Sequence, residues 1–341
     1  MLSTGLSHSP TNQTDITGAS QGPSHLGNRT DWNPTAVEIY NSTGHGADGK
    51  ELLDKWLAYI LRVIVPGRHV LDAGCGTGPD SIICAKSLQA RSVVGVDING
   101  EMIRVAIAKR EDLSPEIKEK IQFIVGDATT TNWLIPSVRQ SFDVTLSVNV
   151  GCNIRDLTKY VEVMTRATNE GGQCIITAPD NFATVFTDGS LTDIQKEERL
   201  KCIDEKLRAI NPNDPKAAEQ VKAAFNGQGF IYRATVALID NQYQVIMTDD
   251  QLAALEPGAA IFRKLPGMVV PNYYHSADEY VMALEKCLSG NVKIKSHTGC
   301  FNDHEEQEKY NAENPDSLLG KEYIGKNPFV AYEVTISRAC K

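Results

Sequence analysis

The stretch His69-Val70-Leu71-Asp72-Ala73-Gly74-Cys75-Gly76-Thr77-Gly78 decides the fold of this chain. In it, an apolar run stops at an acid and passes into three glycines that are spaced two residues apart. Glycine lets a backbone approach a ligand closely or adopt a positive φ angle, and a following helix directs its first N–H groups at that ligand. The pattern predicts a strand, a turn that binds a nucleoside, and a helix over residues 79–88.

A second apolar strand is predicted over residues 92–96, and it ends at Asp97. This acid follows the glycines at about 20 residues, the spacing at which a second-strand carboxylate accepts hydrogen bonds from a ribose. Dinucleotide sites use G-x-G-x-x-G, whereas this chain has G-x-G-x-G with Asp72 two residues before the first glycine. An acid there repels a pyrophosphate and suits the cationic groups of S-adenosylmethionine. Hydride transfer from a nicotinamide cofactor is therefore disfavoured.

Two motifs resemble those of the class I S-adenosylmethionine-dependent methyltransferases: V-L-D-A-G-C-G-T-G over residues 70–78 and V-V-G-V-D-I over residues 93–98. Two later features extend the resemblance, namely an acid after the third predicted strand and a glycine pair before the fifth. The resemblance implies S-adenosylmethionine as the methyl donor. The residues implied for its binding are Tyr40, Asp72, Gly74, Gly76, Gly78, Asp97, Ile98, Met102, Asp127, Ala128 and Asn149.

The resemblance also gives these residues roles. Asp97 is expected on the ribose, and Ile98 and Met102 near the ribose and adenine, although core packing explains Met102 equally well. Asp127 is expected at the adenine amino group, and the N–H of Ala128 at a ring nitrogen. Tyr40 belongs to a segment that precedes a predicted helix over residues 50–64. That tyrosine either covers the methionine end of the ligand or simply packs.

The expected fold is α/β, with a doubly wound, mostly parallel seven-stranded sheet of the Rossmann-like type. Residues 1–30 are predicted to form a disordered tail, and residues 31–341 a methyltransferase domain. A helix over residues 276–288 and strands over 292–297 and 329–337 complete the sheet. Residues 181–275 exceed an ordinary connection, so we predict an inserted α+β cap after the fifth strand, which forms a wall of the substrate site. Within it, residues 230–239 and 242–248 are predicted to form a hairpin around Asp240 and Asn241.

Chemistry is expected where the fourth strand ends, because sites in open parallel sheets form beyond the carboxyl ends of strands. Residues 147–150 are Ser-Val-Asn-Val, and they lack the N-P-P-Y type of tetrad found in enzymes that methylate nucleic-acid amines. An amine acceptor needs only its lone pair, whereas a hydroxyl acceptor usually needs a base. The predicted catalytic residues are His275, Asn149 and Tyr274. Further candidates are Ser147, Cys152 and Asn153 near the methyl group, and His45, Asp180 and His297 as bases.

The composition limits the classes of partner that the protein is expected to bind. The 341 residues carry a formal charge of −9, which gives no basic field for nucleic acid or an anionic membrane. The eight cysteines include no C-x-x-C pair, so they are expected as thiols, and His297, Cys300 and His304 are expected in a surface turn rather than on a metal. Without an apolar span or a secretory signal at the N-terminus, the protein is expected in the cytoplasm.

The favoured function is methyl transfer to N or O of a small-molecule acceptor by in-line displacement. Nucleic acid is an unlikely partner, a membrane is not expected, and the oligomeric state stays open. The alternatives are an RNA cap guanine methyltransferase, which the acidity disfavours, and a non-catalytic methyltransferase-like binding subunit, which has no need of an intact donor motif. Aminopropyl transfer is a further alternative that requires paired acids in the acceptor pocket.

Overall fold

The computed structural model describes residues 37–38, 57, 60–130, 133, 141–179, 184–186, 190–228, 231–265, 268–288, 293–298 and 329–337. Several predictions fall outside this part of the chain. They are the tail over 1–30, most of the helix over 50–64, Tyr40, His45, Asp180, Cys300, His304 and the side chain of His297. Of the predicted helix over 50–64, the described residues Leu57, Ile60 and Leu61 are helical and buried.

The strands and helices alternate along the first half of the chain. The strands are β1 (His69–Ala73), β2 (Ser92–Asp97), β3 (Ile121–Val125), β4 (Phe142–Val148), β5 (Thr168–Pro179), β6 (Val185–Phe186), β7 (Ile231–Ile239), β8 (Gln242–Ile246), β9 (Ala260–Leu265), β10 (Met268–Tyr273), β11 (Ile294–Thr298) and β12 (Phe329–Thr335). The helices are α1 (Pro79–Lys86), α2 (Gly100–Glu111), α3 (Pro115–Lys118), α4 (Leu157–Ala167), α5 (Asp193–Arg208), α6 (Ala217–Ala224), α7 (Asp249–Ala253) and α8 (Ala277–Leu288).

The main sheet has seven strands in the order β11-β12-β5-β4-β1-β2-β3. Strands β1 to β5 are parallel, and β12 runs antiparallel to both β5 and β11. Helices cover both faces, so the central strands are buried and consist largely of Val, Ile and Leu. The predicted doubly wound, mostly parallel seven-stranded fold is confirmed.

The order of strands places the glycine motif at the centre of the sheet. The order runs outward in both directions from β1, and the turn after β1 therefore lies where the direction of winding changes. Ligands of open α/β sheets bind in the crevice that forms there, beyond the carboxyl ends of the strands. The ends of β1, β2, β3 and β4 all meet at this edge.

An α+β unit stands between β5 and α8, as predicted. A second sheet orders its strands β10-β9-β7-β6, and β8 pairs with β7. The predicted hairpin turns at Asp240 and Asn241, which have φ angles of 49° and 61°, the left-handed pair typical of a two-residue hairpin loop. Helices α5 and α6 pack on this sheet through an apolar cluster. We call this unit the cap.

Strands β9 and β10 of the cap differ from the sequence prediction, which placed only the β7–β8 hairpin there. They form an antiparallel pair, and β9 also pairs with β7. The segment over 260–265 carries Arg263 and Lys264, which obscure its apolar pattern. Its partner β7 lies more than 20 residues away, and such a pairing leaves no local turn signal.

Candidate functional site

The turn after β1 is built on three left-handed glycines. Gly74, Gly76 and Gly78 have φ angles of 78°, 54° and 79°, which residues with a side chain rarely adopt. The N–H groups of Gly74 and Cys75 donate to the carbonyl of Val96 at 2.6 and 3.0 Å. The turn is thereby fastened to the end of β2, and it leads directly into the first turn of α1.

Two of the glycines are also required by packing. A Cβ atom on Gly74 would overlap the side chain of Val150, the second residue after β4, and one on Gly78 would lie 2.6 Å from the ring of Phe123. The turn therefore sits directly against the end of β4 on one side and against β3 on the other. Close approach of backbone, rather than flexibility alone, accounts for the glycines at these positions.

Asp97 closes the turn from the end of β2. Its carboxylate accepts a hydrogen bond from the N–H of Gly76 at 3.0 Å and another from the N–H of Asn99 at 2.8 Å. Burial raises the pKa of Asp97, and these two bonds oppose the rise. A carboxylate has about four acceptor positions, so two backbone bonds leave capacity for the hydroxyl groups of a ribose.

Asp72 lies beneath the same turn and is almost fully buried, with 1% of its surface exposed. Ser81 of α1 donates its hydroxyl proton to the Asp72 carboxylate at 2.6 Å. Burial raises the pKa of Asp72 to about 6, and repulsion from Asp97 adds to the rise. Two acids held close together in a buried turn favour a ligand that brings positive charge.

The remaining residues implied for the nucleoside lie along the next two strand ends. Ile98 is 41% exposed beside Asp97, whereas Met102 of α2 is buried, with 4% of its surface exposed. Asp127 accepts two bonds from Thr129, one from its N–H at 2.9 Å and one from its hydroxyl at 2.7 Å. Ala128 follows it and is buried.

Asn149 marks the end of β4 with a left-handed backbone, at a φ angle of 54°. Its N–H donates to the hydroxyl of Thr177 at 3.0 Å, and the same hydroxyl lies 3.3 Å from the Asn149 side-chain oxygen. Left-handed residues other than glycine cluster at functional sites, where surrounding contacts hold them. Here β5 supplies those contacts and fixes the chain that leads into the 3-10 turn Gly151–Asn153.

Ser147 was expected near the methyl group, but its side chain does not line the site. Its side chain is fully buried and accepts a hydrogen bond from the hydroxyl of Tyr160 on α4. Cys152 donates its Sγ–H to the carbonyl of Asn149 at 3.2 Å. Asn153 reaches the cap, where the side chain of Asn272 donates to its side-chain oxygen at 2.8 Å. Of the four residues expected near the methyl group, Asn149 and Asn153 have the more open positions.

The structure does not support His275 as a general base. The ring is 3% exposed, its Nε2 lies 2.6 Å from the carbonyl oxygen of Ile154, and its Nδ1 lies 3.3 Å from Glu279. Both ring nitrogens thus have partners inside the protein, and the ring joins the cap to the chain after β4. Tyr274 packs in an apolar cluster of the cap, and this packing accounts for its position without a catalytic role.

The comparisons with known proteins agree with this geometry. Residues 64–224 match a family model described as a methyltransferase domain. Demethylmenaquinone methyltransferase of Renibacterium salmoninarum is 31% identical over 142 residues, which cover 39% of this chain and 54% of that protein. Phosphoethanolamine N-methyltransferase 1 of Arabidopsis thaliana is 30% identical over 135 residues, which cover 40% of this chain and 24% of that protein. The solved CcbJ methyltransferase from Streptomyces caelestis aligns with a TM-score of 0.50 at 11% identity, covering 91% of this chain and 99% of that one.

The matches cover only part of the curated relatives. The chain spans about half the length of the first of these curated relatives and about a quarter of the second. The family match confirms the resemblance predicted from the glycine motif, over residues 64–224. The structural likeness confirms the fold. Within the ranges that the structure describes, no helix has the length and apolar character needed to cross a membrane.

Proposed function

We propose, from the premise that residues 64–224 form a class I methyltransferase domain, that the protein moves a methyl group from S-adenosylmethionine to N or O of a small-molecule acceptor. The observation that carries the proposal is the fastening of the left-handed glycine turn to Asp97 at the centre of the sheet. The names of the two curated relatives, demethylmenaquinone methyltransferase and phosphoethanolamine N-methyltransferase 1, support a small acceptor.

The donor site follows from the ends of β1, β2 and β3. In this proposal Asp97 accepts hydrogen bonds from the ribose, and Ile98 covers the adenine with its exposed apolar side chain. Asp127 and the N–H of Ala128 meet the edge of the base. Asp72 acts through its buried negative charge, which favours the ammonium and sulfonium of the donor over a phosphate.

The chemistry requires little from the protein beyond alignment. S-adenosylmethionine supplies a methyl group on an activated leaving group, and in-line displacement then depends on the placing of the acceptor and the exclusion of water. Asn149 is our candidate for placing the acceptor, because its strained backbone is fixed by Thr177. With His275 bonded inside the protein, an acceptor that needs no base, such as an amine, is favoured.

The test uses the full-length protein and methyl-labelled S-adenosylmethionine. Calorimetry first measures whether the purified protein binds the donor, and NAD serves as the comparison ligand. An extract of the source cells is then added, and the label is followed into small metabolites, RNA and protein. Donor binding with label in small metabolites supports the proposal. Absence of donor binding refutes it, and label in RNA or protein refutes the acceptor class.

A further inference from the structure

One face of the cap sheet carries three polar residues, and we call it the polar face. In the antiparallel pairs of this sheet, Arg263 of β9 lies opposite Val270 and Thr235, and Asn272 of β10 lies opposite Ile261, two residues along from Arg263. Residues directly opposite one another, and residues two apart on one strand, share a face. Thr235, Arg263 and Asn272 therefore stand together on one face. All three are buried, with 1%, 3% and 5% of their surfaces exposed.

The alternation along β9 shows that this face is distinct from the one that α5 and α6 cover. Phe262, the residue before Arg263, packs in the apolar cluster with those helices. Lys264, the residue after it, donates its Nζ proton to the carbonyl of Ile231 at 2.7 Å. Arg263 points the other way, so its charge is directed away from the apolar cluster that α5 and α6 cover.

One hydrogen bond joins the polar face to the turn after β4. The side chain of Asn272 donates to that of Asn153 at 2.8 Å, which joins β10 to the turn after β4. The hydroxyl of Tyr280 fills the space over Gly151 in the same turn. Burial raises the pKa of Tyr280, and the charge of Arg263 opposes that rise. Arg263 thus stands on the cap side of the place where the acceptor is expected.

The charges on the two sides of this place are opposite in sign. Asp72 and Asp97 lie on the donor side, and Arg263 lies on the cap side, in a chain whose formal charge is −9. Burying a guanidinium costs free energy unless anionic or other acceptor groups surround it. Its five N–H donors form a planar fork, which can keep protein partners and still hold a carboxylate or a phosphate.

We propose that Arg263 is a specificity-determining residue that binds an anionic group of the acceptor, a carboxylate or a phosphate, with Thr235 and Asn272 bonding beside it. This inference rests on the proposed methyltransferase function and deepens it. The acceptor is then a small molecule with two parts. Its nucleophilic end faces the methyl group at Asn149, and its anionic end reaches into the cap.

The first experiment uses the wild-type protein and the metabolite extract. The small molecules are separated at neutral pH into anionic, neutral and cationic fractions, and each receives protein and methyl-labelled S-adenosylmethionine. We expect the label in the products of the anionic fraction. A portion of that fraction is treated with phosphatase beforehand. Loss of the acceptor then identifies a phosphate monoester, and its persistence identifies another anion such as a carboxylate.

The second experiment changes the residue. Arg263→Met removes the charge at similar length, Arg263→Lys keeps the charge without the fork, and Arg208→Met removes an exposed guanidinium of the same cap as the matched control. Since a charge-assisted bidentate contact is lost, KM for the acceptor should rise roughly ten- to hundredfold in Arg263→Met. Arg263→Lys should fall between, and Arg208→Met should match the wild type. The Kd for S-adenosylmethionine should stay the same in all of them.

The outcomes separate the two proposals. Absence of donor binding by the wild type overturns the proposed function and this inference with it. Donor binding with label in the neutral or cationic fractions, or in no fraction, overturns this inference alone. Label in RNA or protein overturns this inference together with the small-molecule acceptor of the proposed function. An unchanged KM in either Arg263 variant overturns it as well. Should Arg263→Met fail to fold, Arg263→Lys and the wild-type fractions still decide the question.

Discussion

Replacing Asp72 by Asn should stabilise the ligand-free protein relative to the wild type, and this gain in stability should be larger at alkaline pH than at acidic pH. The Asp72 carboxyl is buried beneath the glycine turn, and burial raises its pKa from 3.8 to about 6. Because the folded-state pKa lies above the unfolded value, the folded protein binds the proton more tightly. The stability that this bound proton contributes to the folded protein is fully present below pH 3.8 and is lost as the pH rises through about 6.

The size of the effect follows from the two pKa values. At about 1.4 kcal/mol per pKa unit, the rise from 3.8 to about 6 makes the charged carboxylate cost about 3 kcal/mol at pH 8. At pH 5 the Asp72 carboxyl is already ionised in the unfolded chain and mostly protonated in the folded protein, so roughly half of that cost is present. The free energy of unfolding of Asp72→Asn, minus that of the wild type, should therefore grow by roughly 1–2 kcal/mol between pH 5 and pH 8.

Urea unfolding of both proteins at pH 5, 6, 7 and 8 measures this difference without ligand. The amide oxygen of Asn can still accept the Ser81 hydroxyl proton, so the variant keeps that bond. The control is Glu285→Gln, which removes an exposed carboxylate from the middle of α8 and should show no growth with pH. A difference between Asp72→Asn and the wild type that stays constant across this range would refute the reasoning.

Three further predictions concern the site. Asp97→Ala should weaken S-adenosylmethionine binding at least tenfold, because hydrogen bonds to a charged group contribute about 1.5–3 kcal/mol; calorimetry showing the same Kd would sink the ribose assignment. Gly74→Ala should cost roughly 1–3 kcal/mol of stability because its φ angle of 78° is left-handed and its Cβ atom would overlap Val150; equal urea midpoints for variant and wild type would contradict this. His275→Gln should lower the melting temperature and leave the pH profile of turnover unchanged, and loss of the acidic limb of that profile, where a general base becomes protonated, would restore the histidine as a base.

The donor half of the site was predictable because its signals are local. The strand, the three glycines, α1, β2 and Asp97 occupy fewer than 30 consecutive residues. Each of them carries its own chemical reason, such as a positive φ angle or an acid at a strand end. The predicted alternation of strands and helices then indicated a parallel sheet with helices packed on it, in which each crossover is right-handed.

The acceptor half was not predictable because its signals are long-range. Arg263 and Asn272, which we propose for the acceptor, come together only when β9 pairs with β7 and β10, and no short motif marks those pairings. His275 looked available beside two tyrosines, but a carbonyl 121 residues away in the chain occupies its Nε2. The side chain of Ser147 is likewise bonded to Tyr160 of α4 and does not reach the site. Sequence spacing cannot show which polar groups a distant element has already satisfied.

The position of β12 has a consequence for how the chain is made. This strand pairs with β5, yet Phe329 and its partner Pro179 are 150 residues apart, with the whole cap between them. At about 5–20 residues per second, the ribosome delivers β12 about 8–30 s after β5. During that interval β5 is an open edge of apolar strand, the kind of surface that pairs with other chains. The nascent protein therefore exposes an apolar strand edge on β5 throughout the synthesis of the cap, until β12 emerges and pairs with it.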